Sequence, residues 1–145
     1  MTSISRTFTV TPAPVAVIDY LKDFSNAEEW DPGTQTCTRV DSGPIAPGAR
    51  WHNVSKVAGI STELDYTLDS LTADRIVFVG KNKTATSTDT ITVAPRAGGG
   101  SEITYRADIE MNGIAKITGP AVKVIFERIA NETEKRLTDV LNGLG

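Results

Sequence analysis

The chain has 145 residues, a length typical of a single domain with its own hydrophobic core, and we assign residues 1–145 to one domain. Its 15 Lys and Arg residues and 18 Asp and Glu residues give a formal net charge of −3 without a basic run, which argues against a nucleic-acid partner. A single cysteine, Cys37, excludes an internal disulfide and a cysteine-pair metal site. The N-terminus lacks the pattern of a secretion signal and no stretch has roughly 18 successive apolar residues, so we expect a cytoplasmic protein without a membrane-spanning segment.

The first predicted elements are a strand and a helix. Apolar and polar side chains alternate in residues 4–10, as they do in a half-buried strand. Thr11 followed by Pro12 is typical of an N-cap with proline at the first helical position. Apolar residues then recur at helical spacing, which predicts a helix that ends near Phe24.

A second, short helix is predicted to follow directly. Ser25 and Glu28 have the spacing of a capping box, in which two side chains cap each other's backbone N–H groups. This helix carries Trp30, and the Asp-Pro-Gly sequence at 31–33 is expected to end it.

Six further strands are predicted between residues 34 and 111. β-Branched residues alternate with polar ones there, and turn signals interrupt them at regular intervals. This regular spacing predicts consecutive hairpins and therefore an antiparallel meander. The predicted strands are 35–42, 49–57, 61–71, 75–81, 85–95 and 102–111.

A long amphipathic helix is predicted at the C-terminus. Pro120 suits its first turn, Glu132 and Arg136 form a favourable pair one turn apart, and Gly143 can cap its end. An apolar stripe of this kind requires a partner surface. The predicted stripe comprises Val122, Phe126, Ile129, Thr133, Leu137, Val140 and Leu144.

This order of elements, β-α-α-β6-α, predicts an α+β fold in which a seven-stranded curved antiparallel sheet wraps around the C-terminal helix. A helix of about 24 residues is roughly 36 Å long, so a twisted sheet contacts only part of it. The predicted inward side chains of the strand 85–95 are Ser87, Asp89, Ile91 and Val93, and the last strand adds Ala107. Because several of these are short or polar, we expect an internal cavity with apolar walls, the usual form of a small-molecule site.

Several segments resemble one protein family over nearly the whole chain. They are the opening strand with Thr-Pro-Ala-Pro-Val-Ala-Val at 11–17, the segment 26–32 that ends in Trp-Asp-Pro, Gly-Ala-Arg-Trp at 48–51, and the amphipathic C-terminal helix. In these features the chain resembles the START-like, or Bet v 1-like (SRPBCC), helix-grip superfamily, specifically its polyketide cyclase/dehydrase and lipid-transport branch.

The resemblance implies a hydrophobic cavity between the sheet and the C-terminal helix. Members of the family use this cavity to bind or transport lipids, sterols, hormones or polyketides, and some cyclise or dehydrate aromatic polyketides. The family has no universal catalytic signature, so the resemblance assigns no catalytic residue to this chain.

Asp89 is the main candidate for chemistry, because its position in the strand points a carboxylate at the apolar side. A carboxylate buried in this way has a raised pKa and can exchange protons with a bound carbonyl compound. The alternative is a purely structural role, in which the Asp89 carboxylate lies at the rim of the sheet or pairs with an Arg or Lys side chain. Tyr105 and Tyr66 also lie on apolar faces and can direct hydroxyl groups at a ligand, although many buried tyrosines only bond to the backbone.

Two further residues are assigned structural roles. His52, the only histidine, follows Trp51 in a strand, and neighbouring side chains in a strand point to opposite faces. If Trp51 points inward, His52 is therefore exposed to solvent. Cys37 is interpreted as a small strand residue rather than a nucleophile.

The side chains that we expect to line the cavity come from the second helix, five strands and the C-terminal helix. Met111, Ile114, Ile117, Val122 and Phe126 are expected to form a gate. The flanking Gly113 and Gly119 permit hinge movement there, although their simpler role is to turn the chain from strand to helix. The predicted ligand-binding residues are Trp30, Trp51, Asn53, Tyr66, Phe78, Asp89, Ile91, Tyr105, Ala107, Ile109, Val122 and Phe126.

Three hypotheses of function follow. The first is a binder or carrier of a small hydrophobic molecule, acting as a monomer or homodimer without a cofactor. The second is a polyketide cyclase or dehydratase that uses general acid/base chemistry, with Asp89 and Tyr105 as catalytic candidates. The third is a protein-interaction or co-chaperone-like module, which would expose an apolar patch instead of enclosing a pocket.

Overall fold

Seven strands form one antiparallel sheet in the order β1-β7-β6-β5-β4-β3-β2. The computed structural model describes residues 1–111 and 120–144. Strands β2 to β7 are successive hairpin partners, and β1 adds to the free edge of β7. The predicted meander and its seven strands are confirmed. The strands are β1 Thr2–Val10, β2 Thr34–Arg39, β3 Arg50–Val57, β4 Ile60–Leu71, β5 Arg75–Lys81, β6 Ala85–Pro95 and β7 Ser101–Met111.

Helices cover the inner face of the sheet. The helices are α1 Pro14–Leu21, a 3-10 turn Phe24–Asn26, α2 Ala27–Trp30 and α3 Pro120–Asn142. The predicted gate residues Ile114 and Ile117 and the predicted hinges Gly113 and Gly119 lie outside the described residues. Within the described ranges, no helix has both the length and the apolar character needed to cross a membrane.

The start of α1 corrects the sequence prediction. Pro14, not Pro12, is the first helical residue, and the preceding Ala13 takes the N-cap position without a side-chain bond. Thr11 instead bonds to the far end of the chain, because its backbone N–H and its hydroxyl both contact the Oδ1 atom of Asn142, at 2.9 and 3.2 Å. This tertiary partner outweighs the local preference of threonine for an N-cap.

The predicted capping box at Ser25 is also wrong. The carboxylate of Asp23 accepts the Ser25 N–H at 3.0 Å and so caps the 3-10 turn, while α1 already ends at Leu21. Glu28 accepts the backbone N–H of Cys37 at 2.7 Å and thereby joins α2 to β2. Trp30 ends α2 as predicted.

One face of α3 packs on the sheet next to β1. The predicted stripe is confirmed at Thr133 and Leu137, which are buried, but Leu144 is 40% exposed, because it lies beyond the last helical residue. The buried stripe of the helix is completed by Ala130 and Leu141. The predicted Glu132–Arg136 pair forms at 3.2 Å.

A charged contact also joins β1 to α3. The guanidinium of Arg6 lies 2.6 Å from the Glu127 carboxylate and donates to the Asn131 side-chain oxygen at 3.0 and 3.1 Å. Arg6 interrupts the apolar alternation of β1 because its inward position faces a polar part of α3.

Aromatic side chains fill the inner face over β3, β4 and β5. The Phe24 ring lies 4.4 Å from both the Tyr66 and the Phe78 ring centroids, and Trp51 packs edge-on to Phe78 at 5.7 Å. This cluster is buried and accounts for much of the apolar burial that stabilises the domain.

Candidate ligand site

The register of the sheet aligns inward side chains in rows that cross neighbouring strands. In two adjacent rows, three of the inward positions on β5, β6 and β7 have short residues. These are Gly80, Ser87 and Ala107. Asp89 lies between them. The first row is Thr2, Ile109, Ser87, Gly80 and Tyr66, and the second row is Ile4, Ala107, Asp89, Phe78 and Leu68.

The predicted inward face of β6 is confirmed. Ser87, Asp89, Ile91 and Val93 are all buried, and Asp89 retains only 5% of its surface. On β7, Tyr105 and Ala107 are buried at 7% and 5%. A carboxylate therefore lies on the apolar inner surface of the sheet, as the alternation of residues predicted.

Two hydroxyl groups bond to the Asp89 carboxylate, and a third hydroxyl-bearing side chain lies nearby. Tyr105 donates its phenolic O–H to one carboxylate oxygen at 3.1 Å, and Ser87 donates to the other at 3.3 Å. Tyr66 is the second phenol of the group, and both burial and the negative charge of Asp89 raise its pKa. We call Tyr66, Ser87, Asp89 and Tyr105 the inner polar cluster.

The pKa of Asp89 is raised to about 7, first by burial and then by the nearby charge of Asp31, and the bonds from Tyr105 and Ser87 limit the rise. Burial and the same two carboxylates also raise the pKa of Tyr105. Near neutral pH, Asp89 can therefore hold or release a proton, whereas both phenols stay protonated.

The Tyr66 ring owes its position to Gly80, the residue that pairs with it on β5. A Cβ atom added to Gly80 would lie 2.6 Å from two carbons of the ring, so the phenol rests directly on the glycine backbone. Glycine within a strand signals such a close approach. Because Gly80 has no side chain, the Tyr66 ring can extend across β5 toward Ser87 on β6.

Trp30 adds a hydrogen-bond donor without a partner. Its side chain is fully buried and edge-on to the Tyr105 ring, with the ring centroids 5.8 Å apart. The indole N–H is the one buried side-chain polar atom in the described ranges that makes no hydrogen bond. Such an atom in a folded protein requires an explanation, and an absent ligand atom is one.

Asp31 follows Trp30 and brings a second carboxylate to this region. It accepts the Gly33 N–H at 3.1 Å and the Thr34 hydroxyl at 2.7 Å. Burial raises the pKa of Asp31, and these two bonds together with the charge of Arg136 oppose the rise.

Two predicted ligand contacts are already used within the fold. Asn53 is buried, but its amide donates to Thr34 at 3.0 Å and accepts from Ser55 at 2.5 Å. The indole N–H of Trp51 donates to Asp23 at 3.2 Å, and Arg39 lies over its ring. Both residues face inward as predicted, but the structure gives them packing and hydrogen-bonding roles.

A groove lies between β1 and the first half of α3, outside the inner polar cluster. It has a volume of about 270 Å³ and includes Val122 and Phe126, two predicted site residues, beside Ile4. Ile4 pairs with Ala107, and Ala107 pairs with Asp89, so only the short Ala107 side chain separates the two regions along this row. The groove is lined by Met1, Thr2, Ser3, Ile4, Val122, Lys123, Phe126 and Glu127.

A larger surface groove, of about 430 Å³, lies at the tips of the β3–β4 and β5–β6 hairpins. Its lining is polar apart from Val54, so an apolar molecule would gain little by entering it. It contains none of the predicted site residues.

The other candidate groups have structural surroundings. His52 is half-exposed on the outer face, as expected, and its ring nitrogens lie 2.8 Å from Asp65 and 2.8 Å from Glu63, which raise its pKa. Burial raises the pKa of the Cys37 thiol to about 12, so it is not an activated nucleophile. Across residues 1–111 and 120–144, no group of three potential ligand side chains is arranged to hold a metal ion.

Sequence reasoning missed three contributors to the site. Asp31 lies in the segment that carries the family resemblance, but the sequence does not show that its charge acts on Asp89. Gly80 was a glycine inside a predicted strand, which is a recognisable signal for close contact. The unpartnered donor of Trp30 has no signal in the sequence, because it depends on what surrounds the indole.

Together, the curved seven-stranded antiparallel sheet and the long α3 that packs against it define a helix-grip protein of the START-like class. The sequence model of the polyketide cyclase/dehydrase and lipid transport family matches residues 1–142, and the chain therefore belongs to that family. A sequence search among curated proteins gave no significant match.

Solved structures with low sequence identity share the fold. A START superfamily protein from Mycobacterium smegmatis superposes with a TM-score of 0.80 at 14% identity, covering 99% of this chain and 99% of that chain. The Zhui aromatase/cyclase from a Streptomyces species gives 0.74 at 14% identity, covering 98% and 92%. A protein from Thermus thermophilus gives 0.75 at 13% identity, covering 99% and 96%.

Proposed function

We propose that the protein binds or carries a small, largely apolar molecule whose polar end meets the inner polar cluster. The observation that carries the proposal is a buried hydrogen-bond donor without a partner in an apolar interior. The Trp30 indole N–H has no partner among the described residues, and the indole ring packs edge-on to Tyr105, which in turn contacts Asp89. Leaving a buried donor unpaired costs about 1–3 kcal/mol, which a ligand acceptor would recover.

The groove between β1 and α3 supplies a route for the apolar body of the ligand. Phe126 and Val122 form part of its wall, and Ile4 leads from it to Ala107. The family match supports the same class of ligand, since its description includes lipid transport and polyketide chemistry.

Lengthening the side chain at the boundary between groove and cluster tests this proposal. Ala107→Leu is expected to weaken binding of neutral lipids or aromatic polyketides by about tenfold or more, because the added atoms occupy the proposed ligand space. Native mass spectrometry against a library of both compound classes measures the effect.

Ala94→Leu is the matched control, because Ala94 lies on the same sheet but is exposed. Val122→Phe provides a second obstruction, from α3, if Ala107→Leu folds poorly. The proposal fails if no library member binds to the native protein, or if both inner substitutions leave binding unchanged.

A second candidate function is general acid/base catalysis at the same site. It is favoured by the position of Asp89, a buried carboxylate with a pKa raised to about 7 that contacts the Tyr105 phenol. In a dehydration, the carboxylate would take a proton from the carbon beside a ligand carbonyl. The protonated acid would then give that proton to the departing hydroxyl group, which leaves as water.

The dehydration of 4-hydroxy-4-phenylbutan-2-one to the conjugated enone tests the enzymatic candidate, because the product absorbs in the near ultraviolet. Native protein is expected to accelerate this reaction, and Asp89→Asn to reduce the acceleration by about 100-fold, since an amide transfers no proton. Asp69→Asn, on an exposed residue of β4, is the control. Equal rates for native protein and Asp89→Asn would eliminate this role for Asp89.

The interaction-module hypothesis receives less support. Among the described residues, the large apolar side chains that are exposed do not share one helix or strand. They are Met1, Val15, Val40, Ile60, Val124 and Leu144.

A further inference from the structure

We propose that the interior site, which rests on the function proposed above, selects molecules whose polar end is a neutral hydroxyl or carbonyl group and rejects carboxylates and other anions. The proposal depends on which charges and which donors face the site.

Two carboxylates define the charge of this region. Asp89 lies at its centre, and the charge of Asp31 acts on Asp89 strongly enough to be the second cause of its raised pKa. Negative charge on these carboxylates, inside a low-dielectric interior, repels a further negative group.

Two arginines, Arg6 and Arg136, are already engaged with acidic groups. Arg6 contacts Glu127 at 2.6 Å, and Arg136 contacts Glu132 at 3.2 Å while its charge also acts on Asp31. In the part of the chain that the structure describes, no arginine or lysine forms a salt bridge with Asp89.

The mouth of the groove differs from the interior. Lys123 lines it and is exposed, while Glu127 on the same wall is paired with Arg6. Water and salt screen a charge at this position, so Lys123 attracts an anion only weakly.

The hydrogen-bonding groups favour a neutral oxygen. The Trp30 N–H can only donate, and it needs an acceptor. A ligand hydroxyl can accept from Trp30 while donating to Asp89, and a ligand carbonyl can accept from Trp30 and from the protonated form of Asp89. An ammonium group would pair with the carboxylates but leave the indole N–H without a partner.

A set of ligands with one aromatic body and different polar ends tests the selection. 2-Naphthol, 2-naphthoate and 2-naphthylmethylamine are titrated calorimetrically into the native protein at about pH 8, where the first is neutral and the others are charged. We expect 2-naphthol to bind about 10- to 100-fold more tightly than 2-naphthoate, the range that one unscreened like-charge contact produces.

Two variants assign the selection to residues. Asp89→Asn is expected to narrow the ratio of the naphthol and naphthoate affinities by about tenfold, because it removes the nearer charge, whereas Asp69→Asn leaves the ratio unchanged. Trp30→Phe is expected to weaken the binding of 2-naphthol by about fivefold and to leave the binding of 2-methylnaphthalene unchanged. Only 2-naphthol has an oxygen that can accept from the indole N–H.

The outcomes separate this proposal from the one on which it rests. If 2-naphthoate or the amine binds at least as tightly as 2-naphthol, or if Asp89→Asn leaves the affinity ratio unchanged, the selection is refuted while ligand binding stands. If none of the naphthalenes binds and the lipid and polyketide library also gives no complex, the binding function itself fails and the selection with it.

Discussion

Replacing Asp89 with asparagine is expected to stabilise the protein by roughly 4 kcal/mol at about pH 8 and to change its stability little near pH 4. In the folded protein, burial raises the pKa of this carboxyl group from 3.8 to about 7. The folded state therefore binds the proton more tightly than the unfolded chain does. Between these two values, the native protein loses stability as the pH rises, and above the folded pKa the loss is complete. Asparagine has the same shape but no charge, so this part of the pH dependence disappears.

Urea unfolding at several pH values between about 4 and 8 measures this difference. The Tyr105 hydroxyl can still donate to the asparagine oxygen, so the substitution removes mainly the charge. Asp69→Asn is the control, because this exposed carboxylate lies on the same sheet. Parallel pH profiles for native protein and Asp89→Asn would mean that water or a cation reaches the Asp89 carboxylate, and the buried site would then be incorrectly described.

The strands could be predicted from the sequence because turn residues separate alternating segments. All six predicted strands after residue 34 correspond to observed ones, and the alternation in β6 correctly placed Asp89 among buried residues. Side chains in a strand alternate with a period of two, so one correct inward residue determines the others.

The helix starts could not be predicted in the same way. Thr11-Pro12 and Ala13-Pro14 are both plausible starts for a helix. The choice depends on Asn142, which is distant in sequence and accepts hydrogen bonds from Thr11. Ser25 likewise loses its predicted capping role to Asp23. Short local signals are ambiguous when long-range partners compete for the same donors.

The candidate site was predicted only in part, for a related reason. Asp89 and Tyr105 were both predicted to face inward, but their contact depends on the pairing of β6 with β7, which places Tyr105 opposite Ile91. The influence of Asp31 and the unpartnered indole of Trp30 depend on packing between α2 and the sheet. Neither can be derived from the period of the hydrophobic pattern.

Substituting Gly80 with alanine is expected to destabilise the protein by roughly 2 kcal/mol, although alanine ordinarily favours a strand over glycine by about 0.5–1 kcal/mol. The backbone of Gly80 has an ordinary φ, so strain in the main chain is not the cause. The new methyl group would lie 2.6 Å from the Tyr66 ring, which is buried beside Phe24 and cannot move without disturbing the aromatic cluster. Thermal or urea unfolding measures the loss.

A double-mutant cycle with Tyr66→Leu identifies the ring as the source of that loss. Tyr66→Leu alone is expected to be destabilising, because it removes a buried aromatic ring from the cluster. In the Tyr66→Leu background, however, Gly80→Ala should cost little or nothing, which gives a coupling of about 1–3 kcal/mol between the two positions. Additive effects would show that the ring does not rest on Gly80, and the glycine would then have no part in directing the phenol toward Ser87 and Asp89.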